Sequence, residues 1–150
     1  VLEKRTIDPS ALGTEHEIHG LRFIPFFQDH YVCESLGFRF GPFAYSTDLS
    51  ELDEAALKTL EGIDTWVVDG ANVGKRGRHV HANLDTLKTW AERIRPRKMY
   101  LTHLQFGQDY EALREMLPRG MEPAWDGLQF QIQPDGSITE NSIDLYADRL

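Results

Sequence analysis

Three apolar, strand-like runs in this chain each lead to a side chain that can bind a metal ion. Phe23-Ile24-Pro25-Phe26-Phe27-Gln28-Asp29 leads to His30, Phe43-Ala44-Tyr45-Ser46-Thr47 to Asp48, and Lys98-Met99-Tyr100-Leu101-Thr102 to His103. A buried sheet with imidazole and carboxylate at its strand ends suits a divalent ion, because the sheet fixes the geometry and both donors are hard-to-borderline ligands. The chain is thereby constrained to a sheet-centred fold with its polar chemistry at one rim.

The remaining pattern places helices between strands. Glu17 to Phe27 reads as a strand with a turn or bulge at Gly20, and Tyr31–Phe40 with Phe43–Thr47 as a hairpin turning at Gly41-Pro42. Ser50 and Asp53 resemble a capping box for a helix that runs to Glu61 and stops at Gly62. Thr65 to Val68 reads as a short buried strand ending at Asp69. Asn83 is the expected N-cap of a helix with Leu84, Leu87, Trp90, Ala91 and Ile94 at helical spacing, ended by Pro96. A strand over Lys98–Thr102, a helix over Gln108–Met116 and a last strand over Leu128–Ile132 follow. Residues 133–150 read as a loosely packed tail, and the whole chain as one α/β domain. This order puts Asp48, Asp69 and His103 just past the carboxyl ends of strands, and His81 just before a helix. In open α/β sheets that edge is where sites collect.

Composition narrows the partners. A chain of 150 residues that is 41% hydrophobic can bury one real core. Its net charge of −8 disfavours nucleic acid, which needs clustered Lys and Arg. Basic residues gather only in Lys75-Arg76-Gly77-Arg78 and from Arg93 to Lys98, the two places left for a local anion contact. One cysteine, Cys33, excludes an internal disulfide and fits a reducing, cytoplasmic setting. No run approaches the roughly 20 apolar residues of a membrane span, and no signal peptide is visible. The start at Val1-Leu2 suits a processed, trimmed or partial sequence.

Six segments occur in an informative order: Phe26-Phe27-Gln28-Asp29-His30, Leu36-Gly37-Phe38-Arg39-Phe40-Gly41, Ala44-Tyr45-Ser46-Thr47-Asp48, Asp64-Thr65-Trp66-Val67-Val68-Asp69, His81-Ala82-Asn83-Leu84-Asp85 and Tyr100-Leu101-Thr102-His103. Together they resemble the C-terminal half of a metallo-β-lactamase-fold hydrolase, in the branch that includes the phosphoribosyl cyclic phosphate phosphodiesterase of phosphonate breakdown. The resemblance, over residues 15 to 132, implies half of a four-layer αββα sandwich and two divalent metal ions, zinc or manganese. It also implies His30 as the histidine completing one metal site, Asp48 as the aspartate bridging both ions and His103 as a ligand of the second. By the same resemblance His81 contacts or protonates substrate, and Asp69 supports the ligands from behind. The family's His-x-His-x-Asp-His motif has no match here; His16, His19 and His79 do not form it. The expected partners are therefore a small anionic substrate, a phosphodiester above all, and a missing N-terminal half or a homo-oligomer partner.

Each residue also has a plainer reading. Asp48 could cap the helix after it, His81 could be a solvated loop histidine, and Asp69 a turn residue. Cys33 could be a small strand hydrophobe, and Trp66 and Trp90 core. For the protein as a whole, a metal-dependent phosphodiesterase stands against a non-catalytic binding or assembly domain that lacks the full metal centre. The half-sandwich reading carries a corollary: a sheet face, with side chains from Phe23–Phe27 and Trp66–Val68, is left uncovered and drives association.

Overall fold

Alternating apolar residues set the first half of the sheet. In the computed structural model, which describes residues 6–74 and 80–143, β1 (His16–Ile18) and β2 (Leu21–Asp29) form a hairpin. Its turn uses left-handed backbone at His19 (φ 52°) and Gly20 (φ 83°), as a two-residue hairpin turn requires. Gly20 is thus a turn between two strands. β3 (Glu34–Phe40) begins three residues later than the sequence suggests, because Tyr31 (φ 64°) breaks the extended path after His30. β4 (Phe43–Ser46) completes the expected hairpin.

Parallel strands and helices follow. α1 (Glu54–Leu60) is capped by Asp53, whose side chain accepts from Ala56 N. The capping box is therefore not formed, and Ser50 instead hydrogen-bonds the carbonyl of Asp29. β5 (Thr65–Asp69) is buried along its whole length. α2 (Leu84–Ile94) has the Asn83 cap, with Thr86 N donating to its side chain, and ends at Arg95 in the left-handed conformation before Pro96. β6 (Lys98–Thr102), α3 (Tyr110–Met116, capped by Asp109) and β7 (Met121–Pro123) come next. A separate hairpin joins β8 (Leu128–Ile132) to β9 (Ile138–Ser142). β8 is thus not the last strand: Ile138–Ser142 lies inside the segment read as tail, while residues 144–150 are outside the described set.

The seven-stranded sheet runs β1 to β7 in sequence order, antiparallel from β1 to β4 and parallel from β4 to β7. Two antiparallel steps restore direction, so β2, β4, β5 and β6 all point the same way. Their carboxyl ends share one edge.

One face of the sheet carries the core. Phe26, Ala44, Trp66, Val68, Met99 and Leu101 pack there with Leu60, Leu87, Trp90 and Ile94 from the helices. Both tryptophans are core residues, with ring centroids 6.3 Å apart. Gly37 belongs to this packing, since a Cβ there would lie 2.2 Å from the Phe26 ring. Arg39, partly buried on the same face, donates to the carbonyls of Thr59 and Glu61 and so satisfies the end of α1. Arg93 and Arg97 are engaged as well, by Glu54 and Asp64; the cluster at 75–78 lies outside the described residues.

The opposite face is only partly covered. In register, Phe38, Tyr45, Val67 and Tyr100 form one row across it. The β8–β9 hairpin closes the β6 end of the row. Phe130 packs 5.0 Å from the Tyr100 ring and 5.4 Å from Phe43, and the Tyr100 hydroxyl donates to Glu140. Burial, then that carboxylate, pushes the tyrosine pKa upward, so the hydroxyl stays a neutral donor. Leu36 and Tyr45 remain 39% and 42% exposed. The uncovered patch is therefore centred on β3 and β4. Phe23, Phe26 and Trp66–Val68, expected to line it, are already buried.

An apolar patch of this kind promotes association. Residues 1–150 alone are expected to self-associate at micromolar concentration, and Leu36→Lys with Tyr45→Lys to suppress it. Sedimentation velocity decides; a monodisperse monomer for the unmodified chain contradicts the expectation.

Candidate metal centre

Four connections leave the shared strand edge, and five ionisable side chains meet there. Asp69 ends β5 and is fully buried. Its Oδ1 accepts from Ala71 N at 2.9 Å, and its Oδ2 from Leu49 N at 3.3 Å and from His81 Nδ1 at 2.8 Å. An ionised carboxylate only accepts, so it fixes the His81 proton on Nδ1 and leaves Nε2 as the ring's free nitrogen. His81 is itself held: Ala82 N donates to the Leu49 carbonyl at 2.8 Å, and Asn72 Nδ2 donates to the His81 carbonyl at 3.1 Å. With its side chain 9% exposed, His81 is not a solvated loop histidine. Gly70 lets the chain pass close against β6 here, since a Cβ on it would come 2.8 Å from Leu101 Cβ.

Asp48 and His103 follow β4 and β6, each in the left-handed region at φ 53° and 57°. Such backbone is costly for a non-glycine residue, by about 1–3 kcal/mol, and persists where its surroundings impose it. Asp48 does not cap α1; that is Asp53. Its Oδ1 lies 3.5 Å from His103 Nδ1 and 3.8 Å from His30 Nε2, while His103 Nδ1 is 3.4 Å from Asp69 Oδ2. The His30, His81 and His103 rings adjoin in a row, with centroids 4.9 and 5.0 Å apart.

His30 follows β2. Its backbone N–H donates to the Cys33 carbonyl at 2.9 Å, and its Nδ1 is 3.5 Å from Cys33 Sγ. Cys33 is exposed ahead of β3, not a strand hydrophobe. His30 Nε2 is buried and has no hydrogen-bond partner among the described residues.

These observations fit a divalent cation. One ligand atom each from Asp48, Asp69, His81 and His103 falls within 4.8 Å of all the others. The Asp48 and His103 separations are too long for strong hydrogen bonds. They suit atoms sharing an ion, because ligands near 2 Å from a metal sit roughly 3–4 Å from one another. A buried imidazole nitrogen without a partner is costly unless something binds it. Asp48, Asp69, His81 and His103 form this group and His30 lies beside it, 3.8 Å from Asp48; Asp69 and His81 sit deeper than a turn residue and a loop histidine would. The spacing carried no sign of the Asp69–His81 contact, since their 12-residue separation is bridged only by the fold.

A family model described as "Beta-lactamase superfamily domain" matches residues 2–104, a span that contains every site residue above. Among solved structures, one described as a new diphosphatase from the PhnP family is similar, with TM-score 0.69 and 32% identity over 76% of this chain and 44% of that one. The metallo-beta-lactamase fold protein YhfI from Bacillus subtilis has TM-score 0.56 and 15% identity, covering 85% of this chain and 53% of its own. At that identity the second likeness is one of fold alone. The chain spans about half the length of these two structures. No curated protein matches it.

Replacing Asp69 tests the geometry directly. Asp69→Ala leaves two buried backbone donors without their acceptor and is expected to lower stability by about 1–3 kcal/mol in chemical denaturation. The Nδ1-protonated His81 tautomer, visible in long-range nitrogen NMR spectra, should be lost in the variant. Retention of that tautomer would contradict the hydrogen bond.

Proposed function

Because this chain belongs to the beta-lactamase superfamily, we propose that its edge cluster is the C-terminal part of a metal centre in a hydrolase that cleaves small phosphodiesters, cyclic ones included. The observation that carries this reading is the convergence of two carboxylates with imidazoles on one sheet edge. The competing reading is a non-catalytic binding or assembly domain; two costly left-handed positions that bring polar side chains to one edge favour the metal centre over it.

The roles follow from position. Asp48 lies between His30 and His103 and is suited to share its carboxylate between two ions, with His30 on one and His103 on the other. Two divalent ions held there, zinc or manganese, would supply Lewis acidity, lowering the pKa of a water molecule and offsetting phosphoryl charge. His81 keeps Nε2 for the substrate, because Asp69 occupies Nδ1. As hydroxide, formed from water by loss of a proton to solvent, adds to phosphorus and the P–O bond to the leaving group breaks, His81 carrying a second proton on Nε2 gives that proton to the departing alkoxide. Asp69 orients that ring. The remaining ligands would come from protein outside these 150 residues, either an N-terminal half or a second copy.

The likeness to a diphosphatase supports a second substrate, a diphosphate, in which the leaving group is a phosphate needing less protonation. Assaying the full-length protein on a cyclic phosphodiester and on an organic diphosphate, with zinc and with manganese, separates the two. Turnover of the diphosphate alone would replace the phosphodiester reading; turnover of neither would end the hydrolase reading.

Metal content gives a further check. Residues 1–150 alone should hold zinc or manganese weakly, and two tightly bound ions per chain would show that no outside ligands are needed. In the full-length protein, Asp48→Ala should lose metal and all turnover, and His103→Ala should chiefly deplete one ion. His81→Ala should keep its metal while kcat falls about a hundredfold or more for alkoxide leaving groups. The loss should shrink for nitrophenolate, which departs without a proton. Loss of metal in His81→Ala would make this residue a ligand, with Asp69 as the carboxylate behind it.

A further inference from the structure

We propose that Ser35, itself held by Gln28, is the positioning residue that aims Asp48. The proposal rests on the reading of Asp48 as a metal ligand.

Two peptide groups flank the Asp48 Cα, and their planes fix the direction of its side chain. Gln28 is fully buried, and its Nε2 donates to the carbonyl of Thr47 at 3.0 Å, which holds the first plane. Ser35 Oγ donates to the Asp48 carbonyl at 2.8 Å, which holds the second. The second plane is also tied at its nitrogen, since Leu49 N donates to Asp69. With both planes fixed, Asp48 stays at φ 53°, a conformation that a free aspartate would leave for the broader allowed regions.

The direction of the relay is settled by proton count. A serine hydroxyl has one proton, and Ser35 gives it to the Asp48 carbonyl. Its lone pair accepts from Gln28 Nε2 at 3.0 Å. Gln28 therefore serves both anchors from one amide, and no alternative hydroxyl rotamer satisfies both. Ser35 and Gln28 are paired in register on neighbouring strands, which makes the anchor part of the sheet. Neither side chain is placed to contact substrate; they act through Asp48.

The experiment uses the full-length protein stripped of metal and titrated with zinc by calorimetry, with cobalt(II) absorption as the spectroscopic readout. Ser35→Ala is expected to weaken zinc binding about 10–100-fold, as loss of a group that orients a ligand does, and to shift the cobalt bands. The apo melting temperature should stay close to that of the unmodified protein, and Ser35→Thr, which keeps the hydroxyl, should restore affinity. If Ser35→Ala does not fold, Gln28→Met removes the other anchor at similar volume and should weaken zinc in the same way. Wild-type affinity in Ser35→Ala, with Asp48→Ala losing metal, overturns the positioning role and leaves Asp48 a ligand. Wild-type affinity in Asp48→Ala overturns the ligand reading and the proposal with it. Equal losses in Ser35→Ala and Ser35→Thr, with lowered apo melting, mark a merely structural serine and also overturn it.

Discussion

The Asp69 carboxylate governs the arrangement of this edge. Burying a charge costs several kcal/mol unless it is paired and hydrogen-bonded, and this one is fully buried. Its acceptors are used by the loop after β4 through Leu49 N, by the loop after β5 through Ala71 N, and by the segment before α2 through His81. The loop after β6 approaches through His103. Remove the charge and each of these connections loses a fixed point. The carboxylate thus converts the shared direction of β2, β4, β5 and β6 into a shared geometry of side chains.

Strain and satisfaction are distributed in a consistent way around that group. The two residues held in left-handed backbone, Asp48 and His103, carry the most exposed of the site side chains, at 50% and 42%. The buried members, Asp69 and His81, sit on regular strand and helix-approach backbone and satisfy each other. Floor and mouth therefore differ physically. Interactions at the floor are strong because water is excluded, whereas charges at the mouth are screened. Asp48 cannot be held in place by its own weak contacts with imidazole; its aim has to come from the backbone, and the backbone from the sheet.

Much of this was legible in the sequence. The Phe23–Asp29, Phe43–Thr47 and Lys98–Thr102 runs read as strands because each combines aromatic or β-branched residues with a bounded length. The Asn83 helix read clearly because cap, apolar spacing and Pro96 agree. The meeting of His30, Asp48 and His103 followed from strand ends lying on one edge. Other elements carried no local signal. β7 is three residues long and pairs, among the described residues, only with β6, and β9 is Ile-Thr-Glu-Asn-Ser, too polar to read as a strand until Tyr100 and β8 are beside it. The Asp53 cap was masked by Ser50, an equally good cap type drawn to Asp29 by tertiary contact. Depth was the least visible property. Nothing in the sequence distinguishes an Asp that ends a strand at the surface from Asp69, over which three connections fold, those after β4, between β5 and α2, and after β6.

The open sheet face and the open mouth of the site are consequences of one geometry. Across β5 and β6, Val67 and Tyr100 are register partners, and the next pair on the same face, two residues on, is Asp69 with Thr102. The apolar row and the acidic floor are therefore successive rungs of one ladder, about 7 Å apart at the rise of an extended strand. Any layer of protein that covered Leu36, Phe38 and Tyr45 would approach the rim where Asp48 and His103 face water. Apolar burial and completion of the donor set would then be coupled, because the contacts that drive the layer onto the sheet also set how its polar groups meet the edge. In such an arrangement metal affinity becomes a reporter of sheet-face packing, and a substitution at Tyr45, itself not one of the donors, is able to alter the site through the position of the covering layer.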